Sequence, residues 1–403
     1  MKMNTYIAGV GMTRFGKHLD RSLKSLVAEA VGSALKDANL ESFQIEAAYM
    51  GNGAGGVIQG QEMISGQVAL RGMGIGQIPV INIENACATS SSAFQQASMM
   101  VSLGAYDIVL VCGFEKLFHD DKKRTFSAFE GAVDTEDPEG LLGVLGELAD
   151  DAGEVADLAG AGTKRSVFMD IYSLMAKAHM NKYGTTKEHF ASVVEKNAFH
   201  GSLNPKAQFQ TRMSVEEVLA SREIIDPLTL PMCSPVGDGA AVVLVSEQKA
   251  KELSLYKPVK VLSSVLVSGW DKSVADKSVG QYTCDLAYET SGVSPSDLSC
   301  IELHDASAPS EIIAYEYMNI CEKGGGGRLL EEGATRLGGR IPVNVSGGLL
   351  RKGHPIGASG VAQIVELTEQ LRGHSGDRQV ENASLALVHN GGGAGLVPMQ
   401  LPP

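Results

Sequence analysis

Cys87 stands in the run IENACATSSSAFQQA, between a strand-like apolar stretch and a helix-like one. A side chain on such a turn is exposed at the sheet edge and sits at the helix N-terminus, where the macrodipole favours a thiolate. Backbone N–H groups of the same turn can face a developing oxyanion. Attack of a thiolate on a carbonyl is the chemistry this position allows. A buried cysteine in a tight turn is the competing reading. His354 stands in GGLLRKGHPIGASG. Pro355 fixes the chain just after it, and the surrounding glycines permit sharp turns and close backbone approach. A cysteine and a histidine brought together form an activated nucleophile pair.

Two further groups could serve the same chemistry. His304 and Asp305, in IELHDASAPSEIIAYE, follow a short apolar stretch and precede a helical one. Asp305 could be the N-cap of that helix with His304 facing solvent, or His304 could donate a hydrogen bond to a thioester oxygen, directly or through water. His389 and Asn390 open HNGGGAG, where Gly391, Gly392 and Gly393 leave their N–H groups unobstructed, a good design for an oxyanion hole. A glycine-rich turn can also cradle phosphate, but no Lys-Ser/Thr follows and there is no dinucleotide fingerprint.

The elements that must position these residues occur twice. Ala30 to Asn52 and Thr283 to Asp305 each run as an amphipathic helix, a stop at Asn39 or Gly292, an apolar anchor at Leu40 or Val293, a second at Ile45 or Leu298, and then a β-rich segment. A second unit repeats as well. Strand Val80–Glu84, helix Ser90–Leu103 and strand Tyr106–Cys112 match strand Pro342–Ser346, helix Ala358–Leu371 and strand Ser384–Val388. Nearly continuous apolar strands joined by helices imply buried parallel pairs. The expectation is an α/β protein of two duplicated halves, layered α-β-α-β-α with two mixed sheets. The halves span 1–250 and 251–403, with the boundary around Ser246–Pro258. Cys87 and His354 occupy the same turn of the two halves, so the duplication predicts that they meet near a pseudo-twofold axis.

Composition excludes several functions. The net charge is −13 and the pI about 5.2, so the summed field repels phosphate backbones and nucleic-acid binding is not expected. No apolar run reaches the ~18 residues of a membrane span, and the N-terminal stretch reads as a first strand, so a cytoplasmic protein is expected. None of the six cysteines forms a CxxC pair, and no Cys/His set has metal-ligand spacing, so no metal is expected. Glu130 to Asp157 carries ten acidic residues and no Lys or Arg. Within a 120–200 insertion, it reads as a solvated loop or helical flap, or as a cover over the active site or a surface for another subunit. Lys164, Arg165, Lys177 and Lys182 follow and make the nearest patch that could meet coenzyme A phosphates.

These motifs together resemble the thiolase superfamily across nearly the whole chain. The matching elements are Cys87 in NACATSSS, the HD pair at His304 and Asp305, GHPIGASG with His354, HNGGGAG with His389, and CSPVGDGAAVVLV from Cys233. The HD pair and the last of these look most like the sterol-carrier-protein thiolase branch. The resemblance implies coenzyme A as co-substrate, no covalently bound cofactor and a homodimeric core. It also implies an acyl-enzyme on Cys87, with His354 as its base. The oxyanion of the acyl-enzyme would sit between the N–H groups of Cys87 and Gly391, and His354 and His304 would hold the thioester enolate. Two departures stand out. Where the superfamily carries a second reactive thiol, this chain has His389 and Ala306. Imidazole with an ordinary pKa of ~6.5 can take over the acid/base work, and His389 is assigned to it. Branches lacking that thiol often take unusual acyl groups and work with a small zinc-ribbon/OB-fold subunit.

Overall fold

The computed structural model describes residues 3–155, 159–161, 164–235, 237–253, 257–270 and 277–392. Gly393 of the last glycine run, Asp157, and residues 254–256 of the expected half boundary lie outside this set. The strands used below are β1 (Thr5–Met12), β2 (Ala47–Gly51), β3 (Val80–Ile83), β4 (Ile108–Gly113), β5 (Ala240–Ser246), β6 (Val259–Val261), β7 (Cys300–Glu302) and β8 (Ala386–Val388). The helices are α1 (Leu23–Ala38), α2 (Thr89–Ser102), α3 (Lys122–Glu130), α4 (Pro138–Asp151), α5 (Val167–Tyr183), α6 (Lys187–Ser202), α7 (Val279–Ser291), α8 (Ala308–Tyr317), α9 (Gly348–Lys352) and α10 (Ser359–Arg372).

β1–β6 form one sheet in the order β3-β2-β4-β5-β1-β6, parallel across β3-β2-β4 and antiparallel across the rest. Its strands are apolar on both faces, and the period of two sorts their side chains. Ala48, Met50, Ile108 and Leu110 meet Val27, Ala30 and Val31 of α1. Their neighbours Tyr49, Val109 and Val111 face the other way, onto Ala93 and Ala97 of α2 and Val361 and Val365 of α10. Gly11 lets α1 lie close to β1, because a Cβ there would sit 2.2 Å from the Ala30 carbonyl oxygen.

α10 also packs on the second sheet, where Cys300 of β7 shares a cluster with Leu367 and Val388. Ile301 and Leu387 point outward to Cys284 of α7 and to Ala314 and Tyr315 of α8. The order is therefore α1, sheet, α2 with α10, sheet, α7 with α8, as the duplication implies. The matched stops hold: Asn39 and Gly292 both take the left-handed conformation, with φ of 52° and 73°. Pro342–Ser346 departs from the expected strand. It gives one parallel bridge, Val343 to Ile301, before Asn344 turns to φ 55°. The Asn344 amide goes inward, accepting from Leu303 N–H at 2.9 Å and donating to Glu311 at 2.9 Å.

The acidic stretch is helical. Leu145, Leu148 and Ala149 of α4 pack on Ile171, Leu174 and Met175 of α5. One face of α4 is buried and its charges stay outside, as in the helical flap of the first reading. No helix among the described residues is long and apolar enough to cross a membrane.

Candidate active site

Cys87 lies in a single 3-10 turn, Ala86–Ala88, directly before α2. Ala86 has φ 43°, a conformation that costs a residue with a Cβ roughly 1–3 kcal/mol. Thr89 braces the turn: its hydroxyl accepts from Asn85 N–H at 2.8 Å and donates to the Ala86 carbonyl at 2.7 Å. The half-buried thiol packs in an apolar cluster with Ala54, Ile58, Leu117, Ala128, Ile356 and Phe129.

His354 Nε2 lies 3.2 Å from Cys87 Sγ. On the far side of the ring, Nδ1 is 2.8 Å from Ser359 Oγ, and that hydroxyl donates to the Pro355 carbonyl at 2.8 Å. With its one proton so placed, Ser359 can only accept from the ring. Nδ1 therefore carries the hydrogen, and the Nε2 lone pair faces the thiol. Burial pushes His354 down to about 4, which keeps it neutral and ready to take a proton at ordinary pH.

The ring of His304 stands 5.1 Å from that of His354, edge to face at 80°. Its Nδ1 is 3.0 Å from Asn390 Nδ2. Burial holds it well below its ordinary pKa, and the neighbouring His354 and His389 add to this. Cys87, His304 and His354 each offer a ligand atom within 4.8 Å of the others, the one group of metal-capable spacing among the described residues. Sequence spacing did not show this grouping, because three separate turns supply it.

His389 follows β8. Its N–H donates to the Glu302 carbonyl at 2.9 Å, and its Nε2 lies 3.3 Å from Tyr317 Oη. Nδ1 is buried with no hydrogen-bond partner among the described residues. Burial pushes this imidazole to about 4, not the ordinary ~6.5 assumed from sequence. Gly392 brings its turn against the Cys87 turn, since a Cβ there would meet Ala88 N at 2.5 Å and Asn85 O at 2.8 Å. Gly391, Cys87, His304, His354, His389 and Ala306 all line one cavity. Cys233 and Ser234 also reach it, but burial pushes the Cys233 thiol up to about 12, so it stays protonated.

Asp305 corrects one expectation. It does not cap its own following helix. Its carboxylate accepts from Leu349 N–H at 2.7 Å and Asn197 Nδ2 at 2.9 Å, so it caps α9 of the GGLLRKGHP segment instead. Gly348 is obligatory there, because a Cβ would lie 2.1 Å from Asp305 Oδ2. Glu302 holds the same segment through Ser346 N–H at 3.0 Å and buried Lys352 at 3.3 Å.

Sequence reasoning missed Glu115. This fully buried carboxylate accepts from the N–H groups of Gly53 at 3.1 Å, Ala54 at 3.2 Å and Gly357 at 2.9 Å, tying the His354 loop to the first sheet. The available signal was an acidic residue just past the C-terminal end of an apolar strand, where α/β sheets build their sites. The basic patch fares differently. Arg165 pairs with Asp170, and Lys177 with Glu154 at 2.6 Å and Asp226 at 3.5 Å, so these cations are drawn to carboxylates. Lys164 and Arg165 do line the cavity.

Residues 5–249 match the family model described as "Thiolase, N-terminal domain", and residues 271–398 match "Thiolase C-terminal domain-like". The chain is 36% identical to an acetyl-CoA acetyltransferase of Methanothermobacter thermautotrophicus, covering 96% of each. It is 36% identical to human sterol carrier protein 2, covering 98% of this chain and 71% of that one. It is 34% identical to benzoylsuccinyl-CoA thiolase subunit BbsB of Thauera aromatica, covering 98% of this chain and 96% of that one. Among solved structures, the Ltp2-ChsH2(DUF35) aldolase superposes with TM-score 0.78 at 26% identity, covering 97% of this chain and 95% of the other.

Proposed function

The chain belongs to the thiolase family, and on that premise we propose that it makes or breaks a carbon–carbon bond beside a thioester through an acyl-enzyme on Cys87. It is an acyl-CoA C-acyltransferase with coenzyme A as co-substrate. The observation that carries the proposal is the 3.2 Å approach of the His354 Nε2 lone pair to the thiol. His354 takes the thiol proton, and the thiolate adds to the keto carbon of a β-ketoacyl-CoA. The oxyanion is held by the N–H groups of Cys87 and Gly391. The carbon–carbon bond then breaks, leaving an acyl-cysteine and a thioester enolate. His354, now carrying a proton on Nε2, and His304 hold the enolate oxygen. His389, neutral at ordinary pH, relays to the α-carbon the proton that left the thiol, which releases the first thioester. It then takes the proton of the coenzyme A thiol and returns it to Cys87; condensation runs the same transfers in reverse. Coenzyme A attacks the acyl-cysteine to close the cycle.

The acyl group in this reading is aromatic, and the reaction is benzoylsuccinyl-CoA + CoA to benzoyl-CoA + succinyl-CoA. Its support is the likeness to BbsB and the edge-to-face pair of Phe129 and Phe168, centroids 6.5 Å apart, in the cavity wall beside Cys87. A cytoplasmic homodimer core belongs to the same reading, as do the halves 1–250 and 251–403. So does a small zinc-ribbon/OB-fold partner, supported by the Ltp2-ChsH2(DUF35) neighbour. That neighbour also raises a second reading, aldolase-type cleavage without an acyl-enzyme.

Mass spectrometry after incubation with a panel of β-ketoacyl-CoA esters, benzoylsuccinyl-CoA included, separates these readings. The expected result is an acyl adduct on Cys87, lost in Cys87→Ser. Turnover with no adduct favours the aldolase. Unchanged activity of Cys87→Ser in a complex with a partner leaves this chain a scaffold.

A further inference from the structure

His354 is fixed as a lone-pair bearer at Nε2 by Ser359. His304, the other imidazole over the thiol, has to present the opposite face: holding an enolate or thioester oxygen requires a hydrogen on the nitrogen that meets it. A neutral imidazole has one N–H, so whatever binds Nδ1 decides what Nε2 can do. In His304 that group is the side chain of Asn390, whose amide lies 3.0 Å from Nδ1. The other end of the amide is 2.6 Å from Ser91 Oγ, on the first turn of the nucleophile's helix. Ser91 Oγ has one hydrogen and two acceptors in reach, Asn390 Oδ1 at 2.6 Å and the Ala88 carbonyl at 2.9 Å. The 2.6 Å contact falls in the O–H···O range and below the usual N–H···O range, so the hydrogen goes to the amide oxygen and the NH2 faces His304. The amide has little room to be elsewhere. A Cβ at Gly360 would lie 3.0 Å from Asn390 Oδ1 and 2.8 Å from Ser91 N, so α10 admits it only because residue 360 has no side chain. On the same turn, Gln363 donates to the His389 carbonyl at 3.2 Å and holds the backbone that carries Asn390.

We infer that Ser91 and Asn390 are positioning residues that fix His304 in the Nε2–H tautomer, so that the two imidazoles over Cys87 stand in opposite tautomers, His354 as acceptor and His304 as donor. Ser91 orients the amide, the amide donates to Nδ1, and the ring hydrogen is left on Nε2, facing the cavity. Reversing the amide would place the hydrogen on Nδ1 and turn a lone pair on the substrate oxygen. The inference rests on the reading above in which His304 donates to the thioester oxygen.

The test uses the full-length enzyme with 15N-labelled histidine, the His304 signal being identified by its loss in His304→Gln. In the resting wild type the 15N shifts should report a neutral ring protonated at Nε2. Asn390→Leu should leave a mixture of tautomers. With the panel ester that acylates Cys87 fastest, it should lower kcat at least tenfold with KM within threefold. The rate of Cys87 alkylation by iodoacetamide, set by His354, should stay within twofold. Ser91→Ala should move both readouts the same way, less far. Asn390→Asp carries a pH signature. Its carboxylate draws a second proton onto His304, which keeps Nε2–H below the new pKa and loses it above. The ratio of variant to wild-type kcat should therefore fall as pH rises. A wild-type ring protonated at Nδ1, an Asn390→Leu enzyme within threefold of wild-type kcat, a flat Asn390→Asp ratio, or alkylation falling together with kcat would each overturn the inference. If no ester acylates wild-type Cys87, the proposed function fails, while the resting tautomer still decides this point.

Discussion

Replacing Ser359 by alanine tests the proposed activation of Cys87 by His354. Ser359 is fully buried, and its hydroxyl is the acceptor for His354 Nδ1–H at 2.8 Å. In Ser359→Ala the Nδ1–H is left in the interior without an acceptor, which costs about 1–3 kcal/mol. The imidazole can relieve part of that by moving its hydrogen to Nε2, where it faces the thiol and no longer accepts from it. A bias of about 1.4 kcal/mol lost from the reactive tautomer slows proton removal about tenfold. Because burial holds His354 near 4, the ring is neutral in both proteins over pH 6–8, so the ratio of their rates should be flat there. The assay is the second-order rate of iodoacetamide alkylation at Cys87, read by mass spectrometry, with urea unfolding alongside. We expect alkylation down about tenfold and stability down by about 1–2 kcal/mol. Ser359→Thr, which restores the hydroxyl, should recover both. Wild-type alkylation in Ser359→Ala would show that His354 does not depend on this bond and would refute the tautomer reasoning.

Four other outcomes follow from the same geometry. His389→Ala should still acylate Cys87 slowly but lose full turnover by about 100-fold or more, measured as thiolysis against single-turnover adduct formation; near-normal turnover places the base elsewhere. His389 also links stability to acid. Its folded pKa of about 4 lies below the unfolded ~6.5, so its neutral form stabilises the fold above pH 6.5, and that contribution is lost as pH falls toward 4. Relative to His389→Gln, the wild type should lose up to about 3 kcal/mol between pH 7 and 4 in denaturant titrations, and a pH-independent difference would contradict this. Gly348→Ala, with its Cβ 2.1 Å from Asp305 Oδ2 at φ 60°, should cost at least about 2 kcal/mol and slow Cys87 alkylation through the displaced His354 loop. Glu115→Ala leaves three buried N–H groups without their carboxylate and should cost about 3 kcal/mol or more in thermal or urea unfolding; a shift below 1 kcal/mol would mean that the loops hold themselves.

Much of this site was legible along the chain because it is written in local terms. A strand, a turn of small residues and a helix announce where Cys87 must stand, and the repeat of that order announces His354. The left-handed stops at Asn39 and Gly292 and the glycine of each tight turn follow from backbone sterics that any reader of the sequence shares. The layer order follows as well, since strands apolar on both faces require a helix layer on each side. What the chain could not disclose is the partner of each polar side chain. Asp305 caps a helix more than forty residues away, and Glu115 ties its strand end to Gly357. The tautomers of His354 and His304 hang on Ser359 and Asn390. The pKa of His389 is set by burial among residues of α8 and β8 that no spacing rule connects. Residue types and local order determine that a thiol and imidazoles are present and roughly where. Only tertiary packing decides which nitrogen carries the proton, because desolvation and the direction of a hydrogen bond are properties of the surroundings and not of the residue.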